Sequence, residues 1–213
     1  MDLTNKERVF KLIKNLATNP DLLIPYARMS IFSRKLPIDL NVPWWSFRAI
    51  ERADKLIPGK IVFEFGSGGS TLRYAQWAKS ITCVEDDENW GRIIENRLFQ
   101  KLLNNVDIIY QYFDFTHPEN FYKSDYLTTF DGSKGYDVVI IDGQDKSFHE
   151  RITCFEYVEP AMLNHGCIIV DDFWRYTVLL KSHHATKVDI YESVGPCRFG
   201  VTSTAFFLYG KIS

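Results

Sequence analysis

Between residues 61 and 172 the chain repeats one arrangement: a short, almost wholly apolar run rich in β-branched residues, then an interval long enough for a helix. The runs are 61–65 (IVFEF), 80–85 (SITCVE), 106–113 (VDIIYQYF), 136–142 (YDVVIID) and 166–172 (GCIIVDD). A strand that is apolar at nearly every position has to be covered on both faces, which is the condition of a parallel sheet with helices on either side. The intervals carry helical spacing. Trp90, Ile94, Leu98 and Leu102 recur at every fourth position, and Phe148, Ile152, Phe155, Val158 and Met162 form a second stripe that stops at Gly166. Strands alternating with helices are βαβ units, so an α/β protein is predicted.

The carboxyl end departs from that alternation. Residues 187–194 (KVDIYESV) and 204–211 (TAFFLYGK) are strand-like runs joined by a connector too short for a helix, and are expected to pair as an antiparallel hairpin. Upstream, residues 1–57 read as a helical segment ahead of a main domain at 58–213. Its two apolar stripes are Val9, Phe10, Ile13 and Leu16, then Ala49, Ile50, Ala53, Leu56 and Ile57. Pro20, Pro25, Pro37 and Pro43 interrupt the stretch between them. Trp44 and Trp45 end that stretch, and are read either as core residues or as part of a lid over a pocket.

Composition narrows the function classes. A chain of 213 residues with 46 % hydrophobic and 24 % charged side chains suits one folded domain. No run approaches the roughly 18 apolar residues of a membrane span, and the amino terminus lacks the apolar core of a signal peptide, so a cytosolic location without membrane partners is expected. The four cysteines form no CxxC pair, which speaks against a zinc site or a disulfide framework. A net charge of −2 without a basic stripe makes nucleic acid an unexpected partner. The apolar AFFLYG run and the aromatic-rich amino terminus favour a homodimer.

The first run leads through GSGGST into STLRYAQWA, which reads as a helix. A glycine-rich turn between strand and helix is the setting in which backbone amides hold a cofactor. Gly66 and Gly68 permit close backbone approach, and Ser70 or Thr71 is expected to cap the helix. A dinucleotide would bring a pyrophosphate to such a turn, whereas S-adenosylmethionine would bring an amino-acid zwitterion. Glu64, two residues before Gly66 in an apolar strand, would repel the first and attract the ammonium of the second. The G-x-G-x-x-G spacing also fails, since the sixth position from Gly66 is Thr71. Glu85 lies 21 residues after Glu64, where an acid on the neighbouring strand meets the ribose hydroxyls of either cofactor. Asp114 reads as an acceptor for an adenine amino group, with Phe113 or Phe115 against the ring, or else as the cap of a turn.

Taken in order, VFEFGSGGST, CVEDD, YFDF, YDVVIIDG, GCIIVDD and TSTAFFLYG resemble the motifs of class I S-adenosylmethionine-dependent methyltransferases over roughly residues 44–211. The resemblance implies a Rossmann-like seven-stranded sheet in the order 3-2-1-4-5-7-6, strand 7 antiparallel, with helices on both faces. It also implies that Glu64, Gly66, Ser67 and Gly68 contact the methionine end of the cofactor, Glu85 the ribose and Asp114 the adenine. The ST after the glycines and the IDG of the fourth run look closer to small-molecule O-methyltransferases than to nucleic-acid methylases, many of which carry an N/D-PP-Y motif there. The acceptor expected is therefore a small-molecule or sugar-like hydroxyl. A nicotinamide-dependent oxidoreductase and a non-catalytic cofactor-binding protein are the alternatives.

Methyl transfer is a direct displacement that needs alignment and at most a base. Asp142, closing an apolar strand, is the first candidate, with Asp172 at the next strand end and His149 seven residues beyond Asp142. Asp142, Asp171 and Asp172 could instead form an oxygen cage for Mg²⁺ or Ca²⁺, as in catechol-type O-methyltransferases. The match to that group is partial, because it carries Asp-Asn where this chain has Asp171 and Asp172, and its lysine lies nearer the first acid than Lys146 does to Asp142.

Overall fold

A computed structural model describes residues 4–210. Seven strands form one sheet in the order β3-β2-β1-β4-β5-β7-β6. They are β1 (Ile61–Phe65), β2 (Ser80–Glu85), β3 (Val106–Tyr110), β4 (Val138–Ile141), β5 (Gly166–Val170), β6 (Lys187–Val194) and β7 (Val201–Tyr209). β1 pairs in parallel with β2 and β4, and β7 runs antiparallel to both β5 and β6. The expected strand order and the antiparallel seventh strand are both present.

Two cores, one on each face, follow from the alternation of side chains along the strands. Val62, Val138, Ile140, Ile169 and Phe206 point to one face, where α2 (Phe47–Leu56), α3 (Gly69–Tyr74) and α4 (Glu88–Gln100) pack. Phe63, Phe65, Val139, Ile141, Ile168 and Phe207 point to the other, against α5 (Glu150–Met162) and the helical turns around residues 118–134 and 173–181. A fully apolar strand is thus two alternating half-patterns, one per core. The AFFLYG run supplies β7, and residues 205–209 are buried between its neighbours. That removes one reason for expecting a second subunit.

The amino-terminal segment shares the first core. Leu22, Tyr26, Ile38 and Trp45 are buried in the same cluster as the sheet, and so are Ala49, Ile50 and Ala53 of α2. The segment also shields the edge strand β6. Ser46 Oγ donates to the Tyr191 carbonyl, and the Val194 amide donates to Asn15 Oδ1 of α1 (Asn5–Thr18) at 3.1 Å. Covered edges do not template further pairing.

Strand ends differ from expectation in a way that matters for the site. β4 and β5 stop at Ile141 and Val170, so Asp142 and Asp171 lie just past the sheet. β3 ends at Tyr110, which leaves residues 111–116 as a loop over the carboxyl edge.

Gly69 opens α3 where a Cβ would overlap the carbonyl of Val42. Both groups are backbone, so neither can swing aside. Gly69→Ala is expected to destabilise the fold by about 1–3 kcal/mol. Gly68, whose Cβ direction is open space, is the control for urea unfolding. Equal midpoints for the two alanine variants would refute this account of the contact between Val42 and the start of α3.

Candidate active site

The carboxyl ends of β1, β4 and β5 open onto a cleft of about 600 Å³ whose walls include Glu64, Gly66, Ser67, Gly68, Trp90 and Asp142. This is the switch point of the sheet, where strand order reverses on either side of β1. Gly66 has φ +89°, and a Cβ there would lie 2.9 Å from Gly143 Cα, so the turn needs glycine for both conformation and clearance.

Glu64 organises the turn. Its carboxyl accepts from Ser70 Oγ and, at 2.7 Å, from Thr71 Oγ1, while the Gly68 amide donates to Thr71 Oγ1 at 2.9 Å. Ser70 or Thr71 is the cap expected from the sequence; Gly68 occupies the cap position, Thr71 answers its amide from the first turn, and both hydroxyls also donate to the buried acid. Burial raises the Glu64 carboxyl to about 7, opposed by those hydroxyls.

Glu85 ends β2 with both oxygens occupied: Ser67 Oγ donates to one at 2.6 Å, and the amides of Asp86 and Asp87 donate to the other at 3.0 and 3.1 Å. Burial raises its carboxyl. Glu85 clamps the glycine turn to the β2 end, and any sugar hydroxyl reaching it would share the acid with Ser67. Trp90 Nε1 braces the turn by donating to the Ser67 carbonyl at 2.8 Å.

A second cavity of about 440 Å³ continues beyond Glu85, lined by Asp86, Asp87, Phe113, Asp114, Phe115 and Lys146. Asp114 is exposed there and accepts from the Thr116 amide and hydroxyl at 2.9 and 2.7 Å. It caps a turn, as the second of its two readings had it, while facing the cavity. Phe115 is buried edge-on against Phe113, with the Lys146 ammonium 5.6 Å from its ring centre.

The acids past β4 and β5 do not converge on one point, and among the described residues no group of three metal-ligating side chains is close enough to hold an ion. Each finds its own partner. Asp142 Oδ2 accepts from Trp45 Nε1 at 2.9 Å, and its Oδ1 lies 3.2 Å from Arg151 Nη2. Asp171 accepts from Thr204 Oγ1 at 2.7 Å; Asp172 accepts from Thr202 Oγ1 at 3.1 Å and pairs with Arg198 at 3.3 Å. The oxygen-cage reading is therefore corrected: cations and hydroxyls already answer the charges that a metal would have met. Burial raises the carboxyls of Asp142 and Asp171, the latter well above the usual range, whereas Arg198 and Arg151 hold Asp172 below it against its own burial.

His149 does not join this group. It precedes α5 with an exposed ring whose Nδ1 lies 2.8 Å from the Ser147 carbonyl, and it lines none of the cavities described above. The structure thus places His149 apart from the cleft that holds Glu64 and Asp142. Sequence reasoning also missed Arg151, whose guanidinium donates to the carbonyls of Asp142, Gly143 and Asp171 at 3.2, 3.0 and 3.1 Å. The available signal was the set of acids itself, since buried carboxylates require a cation within reach.

A family model described as a methyltransferase domain matches residues 63–173, which run from β1 through the acids of the β5 end. The chain belongs to that family. It is an S-adenosylmethionine-dependent methyltransferase with the class I fold, and the nicotinamide alternative falls away. No curated protein sequence matches it. Among solved structures, precorrin-6y C5,15-methyltransferase from Geobacter metallireducens GS-15 is 15 % identical with a TM-score of 0.54, covering 77 % of this chain and 87 % of its own. The tRNA (m1A58) methyltransferase TrmI from Aquifex aeolicus is 15 % identical with a TM-score of 0.53, covering 84 % and 78 %. SMU.1697c from Streptococcus mutans, solved in complex with SAH, is 12 % identical with a TM-score of 0.53, covering 83 % and 99 %. At such identities the likeness is one of fold. Among the described residues no helix of this methyltransferase is long and apolar enough to cross a membrane.

Proposed function

We propose that this methyltransferase acts on a hydroxyl of a small molecule and that Asp142 receives the hydroxyl proton. The observation that carries the reading is the position of Asp142. It lines the same cleft as the glycine turn, is half-buried with 22 % of its side chain exposed, and is held through one oxygen by Trp45 and through the other by Arg151. Each carboxylate oxygen keeps a lone pair beyond those contacts, so the group can accept a proton while staying oriented.

The residues present fit S-adenosylmethionine. Gly68 leaves open space above the turn, Glu64 offers a buried carboxyl for an ammonium, and the cavity beyond Glu85 offers Phe115 and Asp114 to a flat, amino-bearing ring. When bound, that cofactor supplies an electrophilic methyl group. The protein's own part is to hold the acceptor oxygen in line, exclude water and take one proton. The structural neighbours include a precorrin methyltransferase and a tRNA methyltransferase, so the fold does not choose between acceptor classes. The lining of this cleft, with Trp44 and Arg198 beside the acids, favours a compact polar acceptor.

The cofactor half is tested by calorimetry with S-adenosylhomocysteine between pH 5.5 and 8. An apo carboxyl raised to about 7 holds its proton below that pH, and this contribution to stability is lost as pH rises through it. An arriving ammonium favours the ionised form, so binding releases the proton below pH 7. Affinity is expected to weaken by roughly tenfold from pH 7.5 to 5.5, and Glu64→Gln is expected to flatten that dependence. Strong NAD binding with no response to S-adenosylhomocysteine would overturn the assignment. A pH dependence retained in Glu64→Gln would move it to another group.

A further inference from the structure

Next to the cleft lies a separate cavity of about 450 Å³, lined by Arg8, Lys11, Trp174, Arg175, Arg198 and Phe199. Arg175 and Arg198 line both spaces, so the two are neighbours across those side chains. Four of the lining residues are cations and one, Glu192, is an acid. In a chain of net charge −2 this is a local excess of positive charge.

The cations are held differently. Arg198 is committed: its guanidinium donates to the Trp44 carbonyl at 2.9 Å, pairs with Asp172 and lies 5.6 Å from the Trp44 ring centre. Arg175 forms no ion pair among the described residues, and its guanidinium stands 4.8 Å from the Trp174 ring centre and 5.2 Å from that of Phe148. Aromatic faces position a guanidinium without consuming its in-plane N–H donors, so the fork stays available to an anion. Arg8 and Lys11 also form no ion pair among the described residues. Three positions apart on α1, they share one helix face, and Asn15 ties that helix to β6.

We infer that this cavity binds the phosphate group of a phosphorylated small-molecule acceptor and so sets which hydroxyl reaches the methyl site. The inference rests on the proposed function for its second half only; anion binding stands on the cavity itself. Unpaired Arg and Lys donors suit a dianionic phosphate, and Trp174 with Phe199 offers apolar faces to the carbon skeleton. A nucleic acid is the less fitting occupant, because the charges are gathered in one cavity instead of along a stripe that could follow a backbone.

The test is a calorimetric titration of the full-length protein with inorganic pyrophosphate, with and without saturating S-adenosylhomocysteine. Saturable binding is expected, weakened at least about tenfold in Arg8→Gln/Lys11→Gln and also weakened in Arg175→Gln. The double variant should bind S-adenosylhomocysteine like the wild type, because neither residue lines the cofactor cleft. No pyrophosphate binding at 10 mM, or binding indifferent to these substitutions, overturns the inference. A 20-nucleotide RNA that binds more tightly than pyrophosphate through the same cations overturns it in favour of a nucleic-acid acceptor. Failure of S-adenosylhomocysteine to bind counts against the methyl-transfer reading, while pyrophosphate binding to the apo protein still reports on the cavity.

Discussion

Replacing Asp142 by asparagine is expected to lower turnover by about 10²-fold or more, the usual contribution of a positioned base, while leaving fold and cofactor affinity near those of the wild type. The substitution keeps the side chain's shape but turns one of the two oxygens that meet the Trp45 and Arg151 donors into an NH₂, so it removes charge, basicity and one acceptor. Burial raises the Asp142 carboxyl, so activity is expected to rise as pH passes upward through that raised value and then level off. Asp171 is buried and accepts from Thr204, whereas Asp142 keeps 22 % of its side chain open and is the acceptor. EDTA is expected to change nothing, since no three ligating side chains meet among the described residues. The measurement is methyl transfer followed across pH for both proteins. A fully active Asp142→Asn enzyme would leave proximity and alignment as the whole of catalysis and refute the base.

The fold was legible because burial on both faces is written into the strands themselves: IVFEF and YDVVII have no polar side to show to water. The glycine turn was legible for a related reason, as Gly66 sits where neither its φ nor the approach of Gly143 tolerates a side chain. Strand ends were less legible. Asp142 and Asp172 look like the last residues of their runs, yet the sheet stops one residue before the first and two before the second, because a charged side chain gains more from partners outside the ladder than from a place within it. The partners were hidden because they come from far away in sequence. Trp45 lies 97 residues from Asp142, and Thr204 lies 33 from Asp171. Nothing local marks such a pair. His149 is the opposite case: a residue of suitable chemistry near the motif, whose ring the turn that starts α5 directs to solvent.

Arg151 is the residue on which the arrangement of acids depends, and Arg151→Met is expected to cost about 3–5 kcal/mol of stability, as breaking a buried ion pair from one side does. Its side chain is only 12 % exposed, and it ties three carbonyls and one carboxylate of two neighbouring strand ends together. Methionine fills the volume but returns nothing to the carbonyls of Asp142, Gly143 and Asp171. For a chain of 213 residues that loss corresponds to a fall in Tm of about 10 °C. The deficit should depend on pH in a defined direction. Without the guanidinium the folded-state carboxyls of Asp142 and Asp171 rise further, so their contribution is present at low pH and lost as pH increases through the raised values. The variant should therefore lie closer to the wild type at pH 5 than at pH 8. Adding Asp142→Asn to Arg151→Met should recover part of the loss at pH 8, because it removes one of the charges left unanswered. Thermal unfolding of the four proteins at both pH values decides the matter. A single variant that melts within a degree or two of the wild type, or a double variant whose losses simply add, would mean that Arg151 is not the counter-charge of this site.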